Sequence, residues 1–356
     1  MQFSSQVQLG ILGLLIFQCL FFSAFLFTQI RKEKKSNLYL AMLLAVLGLH
    51  MFMNLMSSVG IDFANPKFVI GLSALYGPLI YLHIIALQRQ KFEFHKIQLL
   101  HFALSPLAVL LSNLGIEFVE MAIRVVVLLQ VYTYLVLGMF SIKRFQNIIR
   151  FTQSRYESIN LNWAYYLLSS FLLIALVDLI SNIFNFYSLV NNEWVFNILL
   201  LVILIFVNTL FFKGLMQPKL FLGISANDDQ VYADEIHKYS NSSVTPKQLW
   251  DTQKKIEVAV ATSKPYLNPD LSLETFSSQL NLSLRLVSQT INTQFKTNFS
   301  DYINDLRIED AKQLLKGENN LNVLEILFEV GFNSKSAFYE HFKKKTGLTP
   351  NQFKKS

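Results

Sequence analysis

The sequence has little charge and almost no cysteine. Charged residues make up 15% of its 356 residues, against roughly 25% in soluble proteins. An ordinary soluble globule is therefore excluded, because its surface needs more charge than this. Disorder is excluded too, since 52% of the residues are apolar. The single cysteine, Cys19, rules out an intramolecular disulfide and lies in an apolar run, where we expect a packed side chain rather than a reactive thiol.

Long runs without charge account for this composition. No Lys, Arg, Asp or Glu precedes Arg31, and the apolar run 7–30 is long enough to cross a hydrocarbon core of about 30 Å. It lacks the basic first part of a cleaved signal peptide. Further charge-poor runs follow at 37–60, 68–88, 97–115, 125–142, 162–185 and 194–212. The sequence therefore predicts an all-α protein that begins with a seven-helix transmembrane bundle over 1–215.

The basic residues of the connecting loops predict the orientation, because Lys and Arg are retained on the cytoplasmic side. One side holds Arg31, Lys32, Lys34, Lys35, Arg89, Lys91, Lys96, Lys143, Arg144, Arg150 and Arg155. The other side holds only Lys67 and Arg124. We therefore predict a multi-pass protein of the inner (cytoplasmic) membrane, in contact with membrane lipid, with its N-terminus outside and its C-terminal domain in the cytoplasm.

The composition changes after Pro218, where Asp, Lys, Ser and Asn become frequent. We expect a cytoplasmic linker over 216–262. Thr245 followed by Pro246 is a helix start, and apolar residues at helical spacing predict a helix at about 246–262. This helix is either a dimerisation or signalling helix or a connecting helix packed on the next domain.

The sequence of residues 263–356 predicts a compact all-helical domain with two helix-turn-helix patterns. In the first, a short helix ends near Leu280 and Ser283 caps a second helix over 284–295. In the second, a helix over 323–330 ends at Gly331, and Asn333 or Ser334 caps the next helix. We expect the polar residues of these second helices to point outward: Arg285, Ser288, Gln289 and Asn292, then Lys335, Ser336, Tyr339, Glu340 and Lys343.

Positive charge is concentrated around the second pattern. Six lysines but one acid, Glu340, lie between Lys335 and Lys355. A lysine-rich end alone carries little information. Next to a capped helix that follows a glycine turn, it favours contact with nucleic-acid phosphates.

The segment 329–350, EVGFNSKSAFYEHFKKKTGLTP, resembles the signature of AraC/XylS-type transcriptional regulators. The likeness lies in the Gly-Phe turn, the small polar cap, Phe-Lys-Lys and Thr-Gly-x-Thr-Pro. The segment 302–311 resembles the helix that joins the two helix-turn-helix units in that family, and the whole resemblance covers 265–355. Leu284 stands where a proline is common, and Phe353 where the family often has Tyr-Arg, which weakens one phosphate contact.

The resemblance implies a transcriptional regulator that binds double-stranded DNA through two helices in successive major-groove segments. It gives base-reading roles to Arg285, Ser288, Gln289, Lys335, Ser336 and Tyr339. The expected phosphate contacts are Asn292, Lys343, Lys344 and Lys345. RNA polymerase is a further expected partner if the protein is an activator, and a homodimer is a candidate assembly. A connecting helix over 300–316 spans only about 24 Å, less than the roughly 34 Å of one DNA turn, so we predict bent DNA.

The membrane domain is the candidate sensor. Asp178 lies within the sixth predicted span, where an ionisable group is costly and marks a functional candidate, with His50, His83 or His101 as its partner. The alternative is a hydrogen-bond network between helices without a ligand. We expect an unknown small-molecule or peptide signal, extracytoplasmic or dissolved in the membrane, to change the packing of the spans and the spacing of paired cytoplasmic domains.

Competing functions find less support in the sequence. It has no His-Glu-x-x-His, no phosphate-binding Gly-Lys-Ser/Thr loop, no zinc-spaced cysteines and no Gly-x-Ser-x-Gly. We therefore predict no enzyme, no catalytic residue, no metal site and no cofactor. The main alternative is a membrane transporter or receptor whose cytoplasmic helix-turn-helix domain binds protein rather than DNA.

Overall fold

The computed structural model describes residues 2–30, 35–61, 67–186, 193–220, 223–236, 244–317 and 321–355. These residues form helices, and no β-strand occurs among them; one isolated bridge joins Gln153 and Ser272. The chain divides into two compact units. The first unit comprises Met1–Lys143 and Leu161–Gly223, and the second comprises Arg144–Asn160 and Ile224–Ser356.

The first nine α-helices and one 3₁₀ helix (Lys96–Phe102, before α5) cover the chain up to residue 220. They are α1 (Gln2–Thr28), α2 (Ser36–Ser58), α3 (Lys67–Ser73), α4 (Tyr76–Gln88), α5 (Leu104–Ser112), α6 (Glu117–Thr152), α7 (Tyr156–Ile159), α8 (Asn162–Phe186) and α9 (Glu193–Leu220). The helix α7 and the last residues of α6 belong to the second unit.

Among the residues that the structure describes, five helical segments are long and apolar enough to cross a membrane. They are Gln6–Thr28, Ser36–Ser58, Lys67–Gln88, Glu117–Thr152 and Ile198–Met216. These segments correspond to the first, second, third, fifth and seventh predicted spans. The seven-helix bundle is therefore not confirmed as such.

The fourth and sixth predicted spans differ from the expectation. In the fourth, the apolar stretch Lys96–Ser112 is divided into the 3₁₀ helix and α5, and it is too short to count as a spanning helix. Pro106 explains the division, because a proline has no N–H to donate and clashes with the carbonyl of the residue four positions earlier. The sixth coincides with α8, but part of its side chains, including that of Asp178, lie outside the described residues.

Close contacts of small and aromatic residues hold the first unit together. A Cβ at Gly48 of α2 would lie 3.2 Å from Cβ of Cys19 on α1, so the two helices approach closely there. Cys19 is fully buried, as expected for a packed side chain. The rings of Phe22 and Phe211 stack at 3.9 Å and join α1 to α9.

The second unit continues with eight further α-helices and a second 3₁₀ helix (Pro265–Leu267). The α-helices are α10 (Ala226–Ile236), α11 (Pro246–Ser263), α12 (Leu273–Gln279), α13 (Leu284–Gln294), α14 (Phe299–Lys316), α15 (Val323–Glu329), α16 (Lys335–Thr346) and α17 (Pro350–Lys355).

Two hydrophobic cores lie in this unit, and α14 contributes to both. The first core contains Ile256, Phe276, Val287, Ile291 and Ile303, among others. The second contains Ile308, Ala311, Ile326, Phe338 and Phe342, among others. Each buried phenylalanine stabilises the fold by about 1.5–3 kcal/mol. The helix α14 therefore connects two small helical halves, one per core.

The segment predicted as a linker contains a packed helix, α10. Val231 of α10 is buried in the first core. The predicted helix at 246–262 is confirmed as α11, which Thr245 caps by accepting a hydrogen bond from the Gln248 amide. Since Ile256 of α11 is fully buried in the same core, α11 is the connecting helix packed on the next domain. The inclusion of 144–160 in the second unit was not expected from the sequence.

Candidate nucleic-acid interface

The first predicted helix-turn-helix pattern corresponds to α12, a tight turn and α13. Ser272 caps α12 by accepting a hydrogen bond from the Thr275 amide at 3.1 Å. Asn281 occupies the left-handed region with φ 53° in the turn, a conformation that asparagine tolerates better than most residues. Ser283 then caps α13 by accepting from the Leu286 amide at 3.3 Å. The predicted cap and the start of the second helix are thus both found.

The second predicted helix-turn-helix pattern corresponds to α15, a glycine turn and α16. Asn322 and Glu325 form a reciprocal cap at the start of α15. Gly331 follows α15 with φ 88°, and a Cβ there would lie 2.7 Å from the carbonyl oxygen of Leu267. A side chain is therefore excluded at this turn for two reasons, the backbone angle and the lack of space. Ser334, rather than Asn333, caps α16.

The reading side chains of the second pattern are accessible. Lys335 and Ser336 are exposed at the start of α16. Tyr339 is half-buried; its hydroxyl accepts a hydrogen bond from Asn351 at 3.2 Å, and the amine of Lys335 lies 5.4 Å from its ring centre. Three candidate base-reading residues therefore lie together on one capped helix.

The candidate DNA-contacting side chains of the first pattern do not point into solvent, contrary to expectation. Ser288 is 3% exposed and Gln289 is 7% exposed. Arg285 is half-buried, and its Nε lies 3.1 Å from Oδ2 of Asp234 on α10. Asn292 is half-buried, with its side-chain amide 3.5 Å from the Ser288 hydroxyl. The difference has a physical reason: α10, α11 and α12 all pack against α13, so little of its surface is left free.

The candidate phosphate-binding lysines differ in their surroundings. Lys343 is exposed on α16. The amine of Lys344 lies 3.5 Å from a carboxylate oxygen of Asp301, and that of Lys345 lies 2.6 Å from Asp305. Because both acids belong to α14, part of the charge of these two lysines is balanced within the protein. Lys343 is the strongest candidate for a phosphate contact.

Phe353, the departure noted in the sequence, packs inward. Its ring lies 5.3 Å from that of Phe342, and the amine of Lys316 lies 5.2 Å from its ring centre. The side chain of Phe353 therefore contributes to the second core rather than to a charged surface.

One group of residues that sequence reasoning missed lies in 144–160. The hydroxyl of Ser154 accepts a hydrogen bond from Arg307 of α14 at 3.3 Å, and its amide donates to the carbonyl of Leu271 at 3.2 Å. Arg155 pairs with Asp270 at 2.5 Å, and Glu157 pairs with Nε2 of His341 on α16. Apart from the basic residues of this loop, no sequence pattern predicts these contacts.

A second group that was missed lies on α10. Its start does carry a sequence signal, because Ser225 and Asp228 have the spacing of a capping box. The Ser225 amide donates to Asp228 at 2.8 Å, and the Asp228 amide donates to the Ser225 hydroxyl at 3.3 Å. Burial raises the pKa of the Asp228 carboxyl, partly offset by these hydrogen bonds. The prediction of a linker in this stretch did not take this capping box into account.

The histidine candidates of the first unit have separate partners. Nδ1 of His50 lies 2.6 Å from the hydroxyl of Tyr76, and Nδ1 of His101 lies 2.6 Å from that of Tyr134. Nδ1 of His83 lies 2.9 Å from the carbonyl oxygen of Ser36. The structure therefore does not bring these three histidines together. The side chain of Asp178 lies outside the described residues, so its partner stays a prediction.

A cavity of about 420 Å³ lies within the first unit. Most of its lining is aliphatic, including Leu47, Leu200 and Val207. Polar groups also line it: His50, Asn54, Ser73, Tyr76 and Arg124. This volume and lining fall within the range of small-molecule sites, which are mostly apolar with a few polar groups that orient the ligand.

A family model matches the C-terminal part of the chain. Residues 276–356 match a family model described as a helix-turn-helix domain. An uncharacterized HTH-type transcriptional regulator in the cgkA 5' region of Pseudoalteromonas carrageenovora is 32% identical over 91 residues, which is 26% of this chain and 52% of that protein. The HTH-type transcriptional activator RhaR of Escherichia coli (strain K12) is 26% identical over 118 residues, 33% of this chain and 40% of that protein.

The chain thus spans about half or less of the length of these relatives. Among solved structures, the C-terminal domain of AraT, a response regulator from Geobacillus stearothermophilus, is 28% identical, with 32% of this chain and 88% of that one covered and a TM-score of 0.26. The named relatives are transcriptional regulators, a class that consists of DNA-binding proteins rather than enzymes. Residues 276–356 therefore form a helix-turn-helix domain similar to the DNA-binding domains of AraC-family transcriptional regulators.

Proposed function

We propose that this protein is a membrane-bound transcriptional regulator that binds specific double-stranded DNA sequences. The observation that carries the proposal is α16, a capped helix in a domain similar to those of known regulators, which presents Lys335 and Ser336 to solvent. A lysine at the start of such a helix can pair with guanine in the major groove, and a serine hydroxyl can bond to several bases. Lys343, farther along the same helix, supplies a phosphate contact.

The helix α13, in the first helix-turn-helix, is the other helix that we propose to read bases. We assign base contacts to Arg285, Ser288 and Gln289 and a phosphate contact to Asn292, since an arginine and a glutamine at this position can pair with guanine and adenine. In α16 we add Tyr339 to the base-reading residues and Lys344 and Lys345 to the phosphate contacts. RNA polymerase is an additional partner if the protein is an activator, and a homodimer is the proposed assembly.

We propose that the first unit lies in the inner membrane, in contact with lipid. Five helical segments of suitable length and apolarity support this location. The excess of Lys and Arg in alternate loops supports a cytoplasmic second unit. A reporter fused after Lys219 should behave as a cytoplasmic protein, and export of that reporter would contradict the proposed topology.

We further propose that the first unit senses a signal through its cavity. The apolar lining favours the hydrocarbon part of a ligand that is dissolved in the membrane, whereas the polar groups favour its head. The paired His50 and Tyr76 lie at this cavity and can change partners when a polar ligand enters. Asp178 remains a proposed participant, on the ground that an ionisable side chain inside a span is costly.

Sequence selection with the full chain tests this function. The protein, in lipid nanodiscs, is mixed with a pool of random-sequence duplexes, and bound DNA is amplified and sequenced over several rounds. We expect enrichment of one motif that extends over two successive major-groove segments. Lys335→Ala should change the preferred bases in one half of the motif only. If no motif is enriched while the nanodiscs capture a cytoplasmic protein, the alternative of a receptor or transporter with a protein-binding domain is the better description.

A further inference from the structure

The four candidate DNA contacts of α13 share one side of the helix. Arg285, Ser288, Gln289 and Asn292 follow the spacing i, i+3, i+4 and i+7, which places them in one stripe. We call this stripe the reading face of α13. Its central members, Ser288 and Gln289, are 3% and 7% exposed, whereas Lys335 and Ser336 at the start of α16 are exposed. The two halves of the domain thus differ in the accessibility of their reading helices.

The helix α10 packs against α13 and reaches the first member of the reading face. Oδ2 of Asp234 lies 3.1 Å from Nε of Arg285, the first member of the reading face. One turn earlier in α10, Val231 is 2% exposed and packs in the first core with Val287. The ion pair fixes which side of α13 faces α10, and the buried valine fixes how closely they pack. The side chain of Arg285 is partly exposed, so DNA that binds it has to compete with Asp234.

The charge of α10 resembles that of a DNA backbone. The helix contains Asp228, Asp229, Asp234 and Glu235, and no Lys or Arg occurs between Ala226 and Ile236. A carboxylate and a phosphate both form charge-assisted hydrogen bonds with a guanidinium. The carboxylate of Asp234 therefore lies beside the guanidinium that a guanine or a phosphate would otherwise approach. Binding of α10 and binding of DNA compete at this residue.

The last turns of α6 hold α10 on its other side. Nη2 of Arg144 lies 3.1 Å from Oδ1 of Asp229. The side-chain amide of Asn147 donates to the hydroxyl of Tyr232 at 3.1 Å, and the rings of Phe151 and Tyr232 lie 6.0 Å apart. These α6 residues belong to the second unit, so α10 lies between α6 and α13 within one compact body.

We propose that α10 is an autoinhibitory helix that covers the reading face of α13, and that the end of α6 keeps it there. This inference rests on the proposed DNA-binding function and adds its regulation. Because α6 begins in the first unit, a signal that displaces its last turns removes the contacts to Asp229 and Tyr232 and loosens α10. The first helix-turn-helix then becomes available, and two-site binding replaces binding by α16 alone.

Thiol labelling of the full chain in nanodiscs tests the occlusion without any DNA. Cys19 is the only cysteine, so a Cys19→Ala background carries one probe at a time. Ser288→Cys reports the reading face of α13, and Ser336→Cys reports the exposed start of α16. A maleimide should react with the first probe at least about tenfold more slowly than with the second, since a buried group reacts only after local opening. Equal rates would overturn the occlusion.

The same probes test what holds α10 in place. Asp234→Asn removes the ion pair with Arg285, and Tyr232→Ala removes the contacts with Asn147 and Phe151 of α6. A partly exposed pair contributes up to about 1 kcal/mol, so Asp234→Asn should accelerate labelling at position 288 by about threefold to fivefold. The double variant should accelerate it further. Labelling at position 336 should not change, which verifies that the domain remains folded. Asp251→Asn, on exposed α11 surface, is the matched control for the loss of one carboxylate.

A binding experiment then separates this inference from the proposed function. Chains with native Ser288 are titrated with a mixed-sequence duplex at low salt. Asp234→Asn should bind DNA more tightly than Asp251→Asn, although both variants carry the same net charge. If labelling at position 288 accelerates but the two variants bind the duplex equally, α10 covers the face without inhibiting and the inference fails. If no chain, including the double variant, binds any duplex, the proposed function itself fails and the inhibition fails with it.

Discussion

The guanidinium of Arg307 donates a hydrogen bond of 2.7 Å from Nε to the carbonyl oxygen of Tyr266. Its Nη2 donates at 2.7 Å to the carbonyl of Asn268. Arg307 is 1% exposed, and burial lowers the pKa of its guanidinium to about 10, so it remains charged at neutral pH. One arginine on α14 therefore supplies hydrogen-bond donors to two backbone carbonyl groups, one within and one directly after the 3₁₀ helix that precedes α12.

We expect Arg307→Met to destabilise the second unit by about 3 kcal/mol, because two buried carbonyl groups lose their donor at roughly 1–3 kcal/mol each. Arg307→Lys should not restore stability, since one ammonium cannot reach the positions of a planar guanidinium. Both effects are measured by thermal unfolding of the full chain in nanodiscs, with proteolysis of the second unit as the readout of unfolding. Lys312→Met, which removes an exposed ion pair with Glu309 on the same helix, is the control and should change stability little.

Lys343 and Gln289 should affect DNA binding in different ways. Loss of the exposed amine in Lys343→Ala should weaken binding to all sequences alike. It should also reduce the slope of log affinity against log salt concentration by about 0.9. In the Asp234→Asn and Tyr232→Ala double variant, where the reading face of α13 is available, Gln289→Ala should change the sequence preference instead, because it removes a base contact. Affinities on matched and scrambled sites across a salt series distinguish these outcomes. An equal loss of preference in both variants would contradict the assigned roles. Lys312→Ala controls for the loss of one positive charge.

Much of the second unit could be predicted because its signals are local. Ser283 and Ser334 are caps whose residue type and position indicate a helix start. Gly331 stands where the backbone requires a positive φ and where a Cβ would collide with Leu267. Buried residues such as Phe338 and Phe342 are four positions apart, as expected for one face of a helix. Each of these features depends on a few neighbouring residues, so the sequence carries it directly.

The surroundings of the reading helices could not be predicted in the same way. Ser288 and Gln289 are polar and lie off the apolar stripe of α13, which predicts exposure. They lie on a helix against which α10, α11 and α12 all pack, and one of these contacts joins Arg285 to Asp234 of α10, about fifty residues away in sequence. Likewise Glu157 reaches His341 across 184 residues. Polar contacts at such separations leave no periodicity, and only the fold brings these residues together.

The pair of His50 and Tyr76 should be required for the response to a signal. Tyr76→Phe removes the hydroxyl at 2.6 Å from the histidine and keeps the ring that lines the cavity, so the unit should fold normally. We expect reporter output from the target promoter to lose its dependence on the signal. Asp178→Asn should have the same effect if Asp178 takes part. Tyr134→Phe removes the equivalent hydroxyl from His101, outside the cavity lining, and is the matched control. An unchanged response of Tyr76→Phe would exclude the pair from sensing.

Asp228 should make the attachment of α10 depend on pH. Burial raises the pKa of this carboxyl in the folded chain above its unfolded value, so the folded form binds a proton more readily than the unfolded form. Stability is therefore greatest below the unfolded pKa and decreases as pH rises through the folded pKa. Asp228→Asn removes the buried charge but keeps an oxygen for the Ser225 amide. The variant should be more stable than the wild type at neutral pH, and this advantage should disappear on acidification. A constant difference in unfolding temperature across the pH series would contradict the argument.

The length of α14 should determine the shape of the bound DNA. The helix has 18 residues and thus spans about 27 Å, whereas two major-groove segments on straight DNA are about 34 Å apart. Because α14 contributes to both cores, it cannot lengthen without unfolding the halves that it joins. The DNA must therefore bend for α13 and α16 to bind together. Circular permutation of the selected site in a gel-shift assay should give a mobility that depends on the position of the site. The Asp234→Asn and Tyr232→Ala double variant should bend DNA more fully than the wild type, and straight DNA in its specific complex would refute simultaneous binding by both helices.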